Sequence, residues 1–254
     1  MSLFNLKGRV AVITGASSGL GKRFARTLAE QGMNVAIIAR RIERLEEDAK
    51  DLKKLGVECL PIQCDATKEQ EVISSINQAI RHFGKIDILV NNAGIALGGK
   101  AEDVSGEDFK KVMDVNVNGI FYFAREAGKN MIDNKYGRII NVSSMYGKVG
   151  NKFSACLSYH TSKGAVENFT RALAAEWAKY NITVNNLAPG FFDSEMTGGF
   201  IHNDHFVNFV KNSTCMERTG RTEELDSALI FLAADESSYI TGQSIFVDGG
   251  WTAI

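Results

Sequence analysis

Two prolines among 254 residues leave nothing from which to build a proline-rich linker, and neither an internal repeat nor a low-complexity stretch divides the chain. That length, with 44% hydrophobic and 23% charged residues, suits one domain over 1–254 and excludes disordered and fibrous architectures. Charge of one sign is also missing. The 29 Lys+Arg and 30 Asp+Glu leave a net charge of -1, so the sequence carries no electrostatic footprint for nucleic acid or an anionic membrane. No apolar run approaches the roughly 20 residues that span a bilayer, and residues 1–10 lack the apolar stretch of a signal peptide. Cysteine is sparse: Cys59, Cys64, Cys156 and Cys215 show neither C-x-x-C spacing nor the density of a secreted disulfide scaffold. They are expected to be reduced and mostly core residues, and the protein to be cytoplasmic.

What the chain does have is a recurring alternation. Apolar, mostly β-branched runs at 10–13, 35–38, 86–90, 138–142 and 182–184 are separated by amphipathic helical stretches, and shorter runs at 57–62 and 244–248 make seven. Such runs suit strands buried on both faces, which predicts an α/β, doubly wound, seven-stranded parallel sheet flanked by helices. Leu20, Phe24, Ala25 and Leu28 share one helical face that ends at Gly32, and the 67–83 helix should stop at Gly84. Ser105 with Asp108 resembles the start of a long helix over 109–130. Residues 191–218, aromatic and broken by Gly198-Gly199, read as an irregular lid.

Directly after the first strand, Thr14-Gly15-Ala16-Ser17-Ser18-Gly19-Leu20-Gly21 leads into a helix. Small residues there let backbone N–H groups approach a pyrophosphate at a helix N-terminus, where the macrodipole favours negative charge. The spacing is G-x-x-x-G-x-G, and alone it also fits a plain strand-to-helix turn. At the end of the second strand, where an acidic residue would hold the 2′-hydroxyl of NAD, there is none; Arg40 and Arg41 stand there instead. A guanidinium pairs with a 2′-phosphate, so NADP(H) is expected, with NAD(H) second. The alternative is that both arginines merely open a charged surface helix with Glu43, Arg44, Glu46 and Glu47.

Tyr159-His160-Thr161-Ser162-Lys163 places a phenol and an ammonium one helical turn apart. Lowering a phenol from pKa near 10 to about 7 requires roughly 4 kcal/mol. An ammonium about 4 Å away at an effective dielectric near 20 supplies that order of magnitude. Ser143-Ser144-Met145-Tyr146-Gly147 follows the 138–142 strand and Asn91-Asn92-Ala93-Gly94 follows the 86–90 strand, so both sit at the carboxyl edge where open α/β sheets bind ligands.

Together these motifs resemble the short-chain dehydrogenase/reductase family over nearly the whole chain, and the chain with its ending Phe246-Val247-Asp248-Gly249-Gly250-Trp251-Thr252-Ala253 is similar to the gluconate 5-dehydrogenase branch. The resemblance implies a catalytic set of Asn116, Ser144, Tyr159 and Lys163, with Ser144 preferred to Ser143 because S-x-x-G is completed by Gly147. It implies cofactor contacts from Gly15, Ser17, Ser18, Gly19 and Leu20 in the turn, from Arg40 and Arg41, and from Asp65 and Ala66 at the adenine. Asn92, Ala93 and Gly94, the shared Tyr159 and Lys163, and Pro189, Gly190, Phe192 and Ser194 on the nicotinamide side complete the set. Ser194 stands where the family usually has threonine, and the 148–158 segment is longer than in many relatives. The implied reaction is hydride transfer between the nicotinamide and a carbonyl carbon, with the proton passing through Tyr159. A homotetramer is also implied.

Met145, Tyr146, Phe153, Phe191 and Phe192 are expected near the substrate mouth, with Phe200, Phe206 and Phe209 in the lid. They read either as an apolar pocket for a steroid or acyl chain or as packing of the lid onto the body. Lys148 and Lys152 favour the carboxylate of a sugar acid instead. The first choice is therefore a gluconate 5-dehydrogenase-like sugar-acid substrate, with a hydroxysteroid (bile acid) dehydrogenase or a 3-oxoacyl thioester reductase as the alternative. A catalytically silent NADP(H)-binding regulator and an assembly scaffold are the rivals outside catalysis. His202-Asn203-Asp204-His205 lacks a third metal ligand, so no metal is expected. His82 and His160 are expected on helix surfaces, and Ser143 to satisfy backbone groups at its strand end.

Overall fold

A computed structural model describes residues 4–199 and 201–254. Seven parallel strands form one sheet in the order β3-β2-β1-β4-β5-β6-β7: β1 Val10–Thr14, β2 Asn34–Ala39, β3 Cys59–Gln63, β4 Ile88–Asn91, β5 Gly137–Val142, β6 Ile182–Pro189 and β7 Ser244–Val247. Sequence alternation sorts the strand residues onto two faces. Ala11, Ile13, Val35, Ile37, Ile88, Val90, Ile140 and Leu187 enter one apolar cluster, while Val12, Ala36, Ile38, Leu89, Ile139 and Val184 enter the other. Both faces are covered, which is why these strands read as unbroken apolar runs.

The connecting helices are α1 Gly19–Glu30, α2 Ile42–Lys53, α3 Glu69–Phe83, α4 Gly106–Met113, α5 Gly119–Asp133, α6 Leu157–Trp177, α7 Asp204–Ser213 and α8 Asp226–Ala233. Phe24, Ala25 and Leu28 of α1 are buried in the first cluster, as their spacing predicts. Gly84 ends α3 in the left-handed conformation (φ 81°), which a side chain would strain. Ser105 caps α4, its Oγ accepting from the Asp108 N–H at 3.0 Å and donating to the Asp108 carboxylate. The expected continuous 109–130 helix is interrupted. A single π-helical turn, Asp114–Asn118, separates α4 from α5 and turns Asn116 inward, completely buried.

The segment expected to be irregular over 191–218 contains α7, capped by Asn203, whose Oδ1 accepts from the His205 N–H at 2.8 Å. Phe206 and Val210 of α7 form a small core of their own with Ile201. The rings of α7 also meet Phe153, Phe191 and Trp251. Phe200 lies outside the described residues. Cys59, Cys64 and Cys156 are buried free thiols, as expected of mostly core cysteines, and Cys215 is exposed.

One polar row crosses the sheet. Asn91, Asn141, Asn186 and Ser244 are register partners on β4 to β7. Asn91 Nδ2 donates to Asn141 Oδ1 (2.9 Å) and Asn141 Nδ2 to Thr170 Oγ1 of α6 (2.8 Å). Thr170 Oγ1 donates to Asn186 Oδ1 (2.6 Å), and Asn186 Nδ2 to Ser244 Oγ (3.0 Å), which in turn donates to Glu167 of α6.

Candidate active site

The strand ends place the motifs on one edge. Thr14 closes β1, and its hydroxyl accepts from the N–H groups of Asn92 and Ala93, each at 3.0 Å. Asn92 Nδ2 donates to the Thr14 and Gly15 carbonyls at 3.0 and 3.3 Å, so this side chain braces the glycine turn. At Gly15 (φ 66°) an added Cβ would stand 2.8 Å from Ala93 Cα, and at Gly21 it would run into the Gly15 carbonyl and the Asn92 amide. The turn therefore lies against the Asn92-Ala93-Gly94 backbone with no room for side chains. Leu20 packs partly into the first core cluster.

Arg41, not Arg40, folds back onto the turn. Its Nε and Nη2 donate to Ser17 Oγ (3.2 and 3.1 Å) and Nη2 donates to Ser18 Oγ (2.8 Å). Arg40 is exposed, its carbonyl accepting from Gln63 Nε2 at 3.0 Å. Asp65 Oδ1 accepts from the Thr67 N–H and hydroxyl (3.0 and 2.8 Å). Burial of Asp65 works upward on its pKa, yet these bonds hold it below the usual carboxylate range. Ala66 stands beside Gly119 at the start of α5, where a Cβ would lie 3.2 Å away.

Asn116 is clamped. Its Nδ2 donates to the Ile95 carbonyl and to Ser162 Oγ, both at 2.9 Å, and its Oδ1 accepts from the Ile95 N–H at 2.8 Å. Ser162 Oγ donates to the Tyr159 carbonyl at 2.8 Å, tying the π turn to the first turns of α6. Gly94 approaches both Asn116 Oδ1 and Lys163 Nζ, at 3.4 and 3.7 Å from its virtual Cβ. Ser144 caps a short turn over Met145–Gly147, its Oγ accepting from the Tyr146 N–H at 3.2 Å. Asn116, Ser144, Tyr159 and Lys163 are thus brought together at the carboxyl ends of β4 and β5.

Their electrostatics differ from the expectation. Lys163 is buried, donates to the Val142 carbonyl (2.7 Å) and stands over the Tyr159 ring, 5.4 Å from its centroid. Burial pushes its pKa down to about 8, opposed by Glu167 one turn further along α6. Burial also pushes the Tyr159 phenol up to about 12, and a hydrogen bond with the Ser144 hydroxyl is what draws it back. In this geometry desolvation outweighs the ammonium that the i, i+4 spacing places nearby.

Several expected mouth residues lie elsewhere. Met145 is buried, and Phe192 turns into the first core cluster against Gly220. Ser143 Oγ is buried without a hydrogen-bond partner among the described residues, contrary to the expected backbone contact. His160 is not on the surface: it is half-buried, stacked on Tyr146 at 4.3 Å, with Nδ1 3.4 Å from Cys156 Sγ. His82 is exposed and pairs with Glu58.

The rings that do form the wall are Tyr146, Phe191 and Trp251. Tyr146 meets Tyr159 edge-on at 6.3 Å, Phe191 at 6.2 Å and Trp251 at 6.5 Å. Phe153 stacks on Phe209 of α7 at 3.9 Å, joining the 148–158 segment to the lid. Lys148 Nζ lies 4.9 Å from the Phe246 ring centroid, and Lys152 is exposed. His202 pairs with Asp193. Pro189 ends β6, and a Cβ at Gly190 would come 2.7 Å from Asp248 Cα. Ser194 Oγ lies 3.0 Å from Thr197 Oγ1, which donates to the Phe192 carbonyl at 2.6 Å.

Sequence reasoning missed Ser162, Glu195 and Trp251. Ser162 lies inside the Tyr159–Lys163 motif and was findable. Glu195 and Trp251 reach the site from 154 residues beyond Arg41 and from the chain's last turn, and carried no local signal.

Comparison with known proteins agrees with this geometry. The family model described as enoyl-(acyl carrier protein) reductase matches residues 15–252. The chain is 35% identical to gluconate 5-dehydrogenase of Gluconobacter oxydans over 250 residues, covering 98% of this chain and 97% of the relative. It is 36% identical over 241 residues to the 3-oxoacyl-[acyl-carrier-protein] reductase of Staphylococcus aureus, covering 94% of this chain and 96% of that one. A crystal structure of a gluconate 5-dehydrogenase from Burkholderia cenocepacia, in complex with NADP and tartrate, superposes with a TM-score of 0.95 at 35% identity, over 99% of this chain and 98% of that one. With matches of this extent, and Tyr159, Lys163, Ser144 and Asn116 assembled at one sheet edge, the chain belongs to the short-chain dehydrogenase/reductase family of oxidoreductases.

Proposed function

We propose that this protein interconverts a ketone and a secondary alcohol with NADP(H), and that its substrate is a sugar acid of the gluconate 5-dehydrogenase type. The observation that carries the reaction class is the gathering of Asn116, Ser144, Tyr159 and Lys163 at the carboxyl ends of β4 and β5. The cofactor assignment rests on this chain's own turn: Gly15 and Gly21 admit no Cβ, and the Arg41 guanidinium, on Ser17 and Ser18, already holds a carboxylate. These residues fit a dinucleotide bearing a 2′-phosphate.

When bound, the nicotinamide supplies or accepts the hydride. Gly15 to Leu20 and Ala93 to Gly94 would hold the pyrophosphate and ribose with their backbone, while Asp65 and Ala66 would hold the adenine. Pro189, Gly190 and the backbone at Phe192 would hold the nicotinamide, and Ser194 would supply it a hydroxyl. Tyr159 gives its hydroxyl proton to the carbonyl oxygen in reduction, and in oxidation its deprotonated form takes the proton from the alcohol hydroxyl. Ser144 holds the same oxygen. Lys163 stands over the Tyr159 ring and would hold the nicotinamide ribose, and Asn116, through Ile95 and Ser162, fixes the loop after β4 against α6. The sugar-acid reading is supported by the two gluconate 5-dehydrogenases and by the exposed cations Lys148 and Lys152, Lys148 lying beside the Phe246 ring.

The ring wall supports a second reading. Tyr146, Phe191 and Trp251 suit an apolar ketone such as an oxo bile acid or 3-oxoacyl thioester. Phe191 also lines a cavity of about 310 Å³ with Met216, Arg218, Phe246 and Asp248. The test is nicotinamide absorbance with NADPH or NADP⁺ against sugar acids, oxo bile acids and 3-oxoacyl thioesters, with NAD(H) in parallel. Turnover of 5-oxogluconate at least tenfold above the other classes supports the first reading; the reverse order replaces it with the second.

The four free thiols suit a reducing cytoplasm, and no described helix is long and apolar enough to cross a membrane. Phe121 on α5 and Leu157 on α6, both exposed, support a homotetramer joined through these helices. Sedimentation equilibrium tests that state.

A further inference from the structure

The anion cradle at the adenosine end is already engaged by the protein itself. Glu195, three residues past Phe192, accepts from Arg41 with both oxygens: Nη1 to Oε1 at 2.8 Å and Nη2 to Oε2 at 2.7 Å. Arg44 Nη1 adds a third contact to Oε1 at 3.2 Å. The guanidinium thus spends its two terminal nitrogens on the lid carboxylate while its Nε and Nη2 also hold Ser17 and Ser18. The lid backbone is equally close: a Cβ at Gly19 would lie 3.4 Å from Ser194 Cβ and 3.7 Å from the Glu195 nitrogen. A carboxylate and a phosphate monoester compete for the same planar fork of donors.

We propose, resting on the NADP(H) reading above, that Glu195 is a specificity-determining residue that moderates the preference for a 2′-phosphate. To take that phosphate, Arg41 must give up the Glu195 carboxylate, which then moves aside or repels the incoming anion. NAD(H), with a hydroxyl at that position, leaves the pair intact. Glu195 therefore costs NADP(H) affinity without costing NAD(H) affinity, and narrows the ratio that Arg41 alone would set. The pair is solvent-facing, with side-chain exposures of 39% for Arg41 and 54% for Glu195, so the competition is screened and a cofactor can win it. Arg44 remains beside the cradle for whichever anion occupies it.

The test is equilibrium titration of the full-length protein with NADPH and with NADH, followed by nicotinamide fluorescence, for wild type, Glu195→Gln and Arg41→Ala. Glu195→Gln should tighten NADPH binding by about 2- to 10-fold and change NADH binding by less than about twofold. Raising the salt concentration should shrink that difference. Equal changes for both cofactors, or weaker NADPH binding in Glu195→Gln, overturn the proposal. Arg41→Ala separates the two levels: if it loses NADPH selectively while Glu195→Gln changes nothing, the NADP(H) reading stands and the role of Glu195 falls. If Arg41→Ala leaves both cofactors equally bound, the 2′-phosphate reading fails and the proposal fails with it.

Discussion

On the nucleotide side of the cleft the walls are backbone: the glycine turn presses on Ala93, Asn92 spends its amide on two carbonyls, and side chains are excluded by contact. On the opposite side, over 148–158 and 191–218, the walls are rings resting on rings, with Phe153 on Phe209 and Tyr146 on His160. A wall of backbone admits few solutions, because one added methyl collides. A wall of rings admits many, because offset and edge-on pairs are both favourable and each is worth only about 0.5–1.5 kcal/mol. The first arrangement suits a ligand whose shape never varies, and the second suits substrates that differ among relatives sharing one reaction.

The sharpest probe of this division is Tyr159, which stands at the seam. Tyr159→Phe should lower turnover by about 10²-fold or more, with NADPH affinity within about twofold of wild type, as read by steady-state kinetics and titration. Unchanged turnover would remove the proton role. Lys163 shares the seam and predicts a pH signature. Its folded pKa, about 8, lies below the ordinary 10.5. Between those values the unfolded chain holds a proton that the folded chain has lost, so stability should rise with pH, by roughly 2–3 kcal/mol across the window. Urea unfolding of wild type against Lys163→Met checks this, and parallel pH curves for the two would contradict it.

Gly21→Ala attacks the nucleotide side alone. The clash with the Gly15 carbonyl should cost about 1–3 kcal/mol of stability and weaken NADPH binding while leaving the ring wall in place. Thermal unfolding and titration together show it. Phe153→Ala attacks the ring side alone: losing the stack on Phe209 should cost about 1 kcal/mol and raise the substrate KM a few-fold with NADPH affinity unchanged. Equal damage to NADPH binding by both variants would abolish the distinction.

The same division explains what was legible beforehand. All seven strands, the glycine turn and the Tyr159–Lys163 pair followed from local patterns, since burial on both sheet faces, a strand-end turn and a one-turn helical spacing leave local marks, whereas Asn116 and the choice of Ser144 came from the family resemblance. The π turn at Asp114–Asn118 left none, because a one-residue insertion in a helix changes apolar spacing too little to notice. Choosing between Arg40 and Arg41 depended on which guanidinium meets Ser17 and Ser18, a tertiary matter. Helix α7 was missed, and Phe192 was assigned to the mouth although its ring faces Gly220, because neighbouring aromatics in a loop do not disclose which way each points. The raised Tyr159 pKa was missed because spacing reveals a charge nearby but not how much water is gone.

The polar row through Asn91, Asn141, Asn186 and Ser244 bears on how the sheet assembles. The aliphatic residues of these strands have little to distinguish the right alignment from one shifted along its neighbour. A shift by one residue would turn each amide to the wrong face and strand it among aliphatic groups, away from Thr170 and Glu167. Helix α6 thereby proofreads the alignment of four strands, and the same helix carries Tyr159 and Lys163, so a misaligned sheet would also lack a reaction centre.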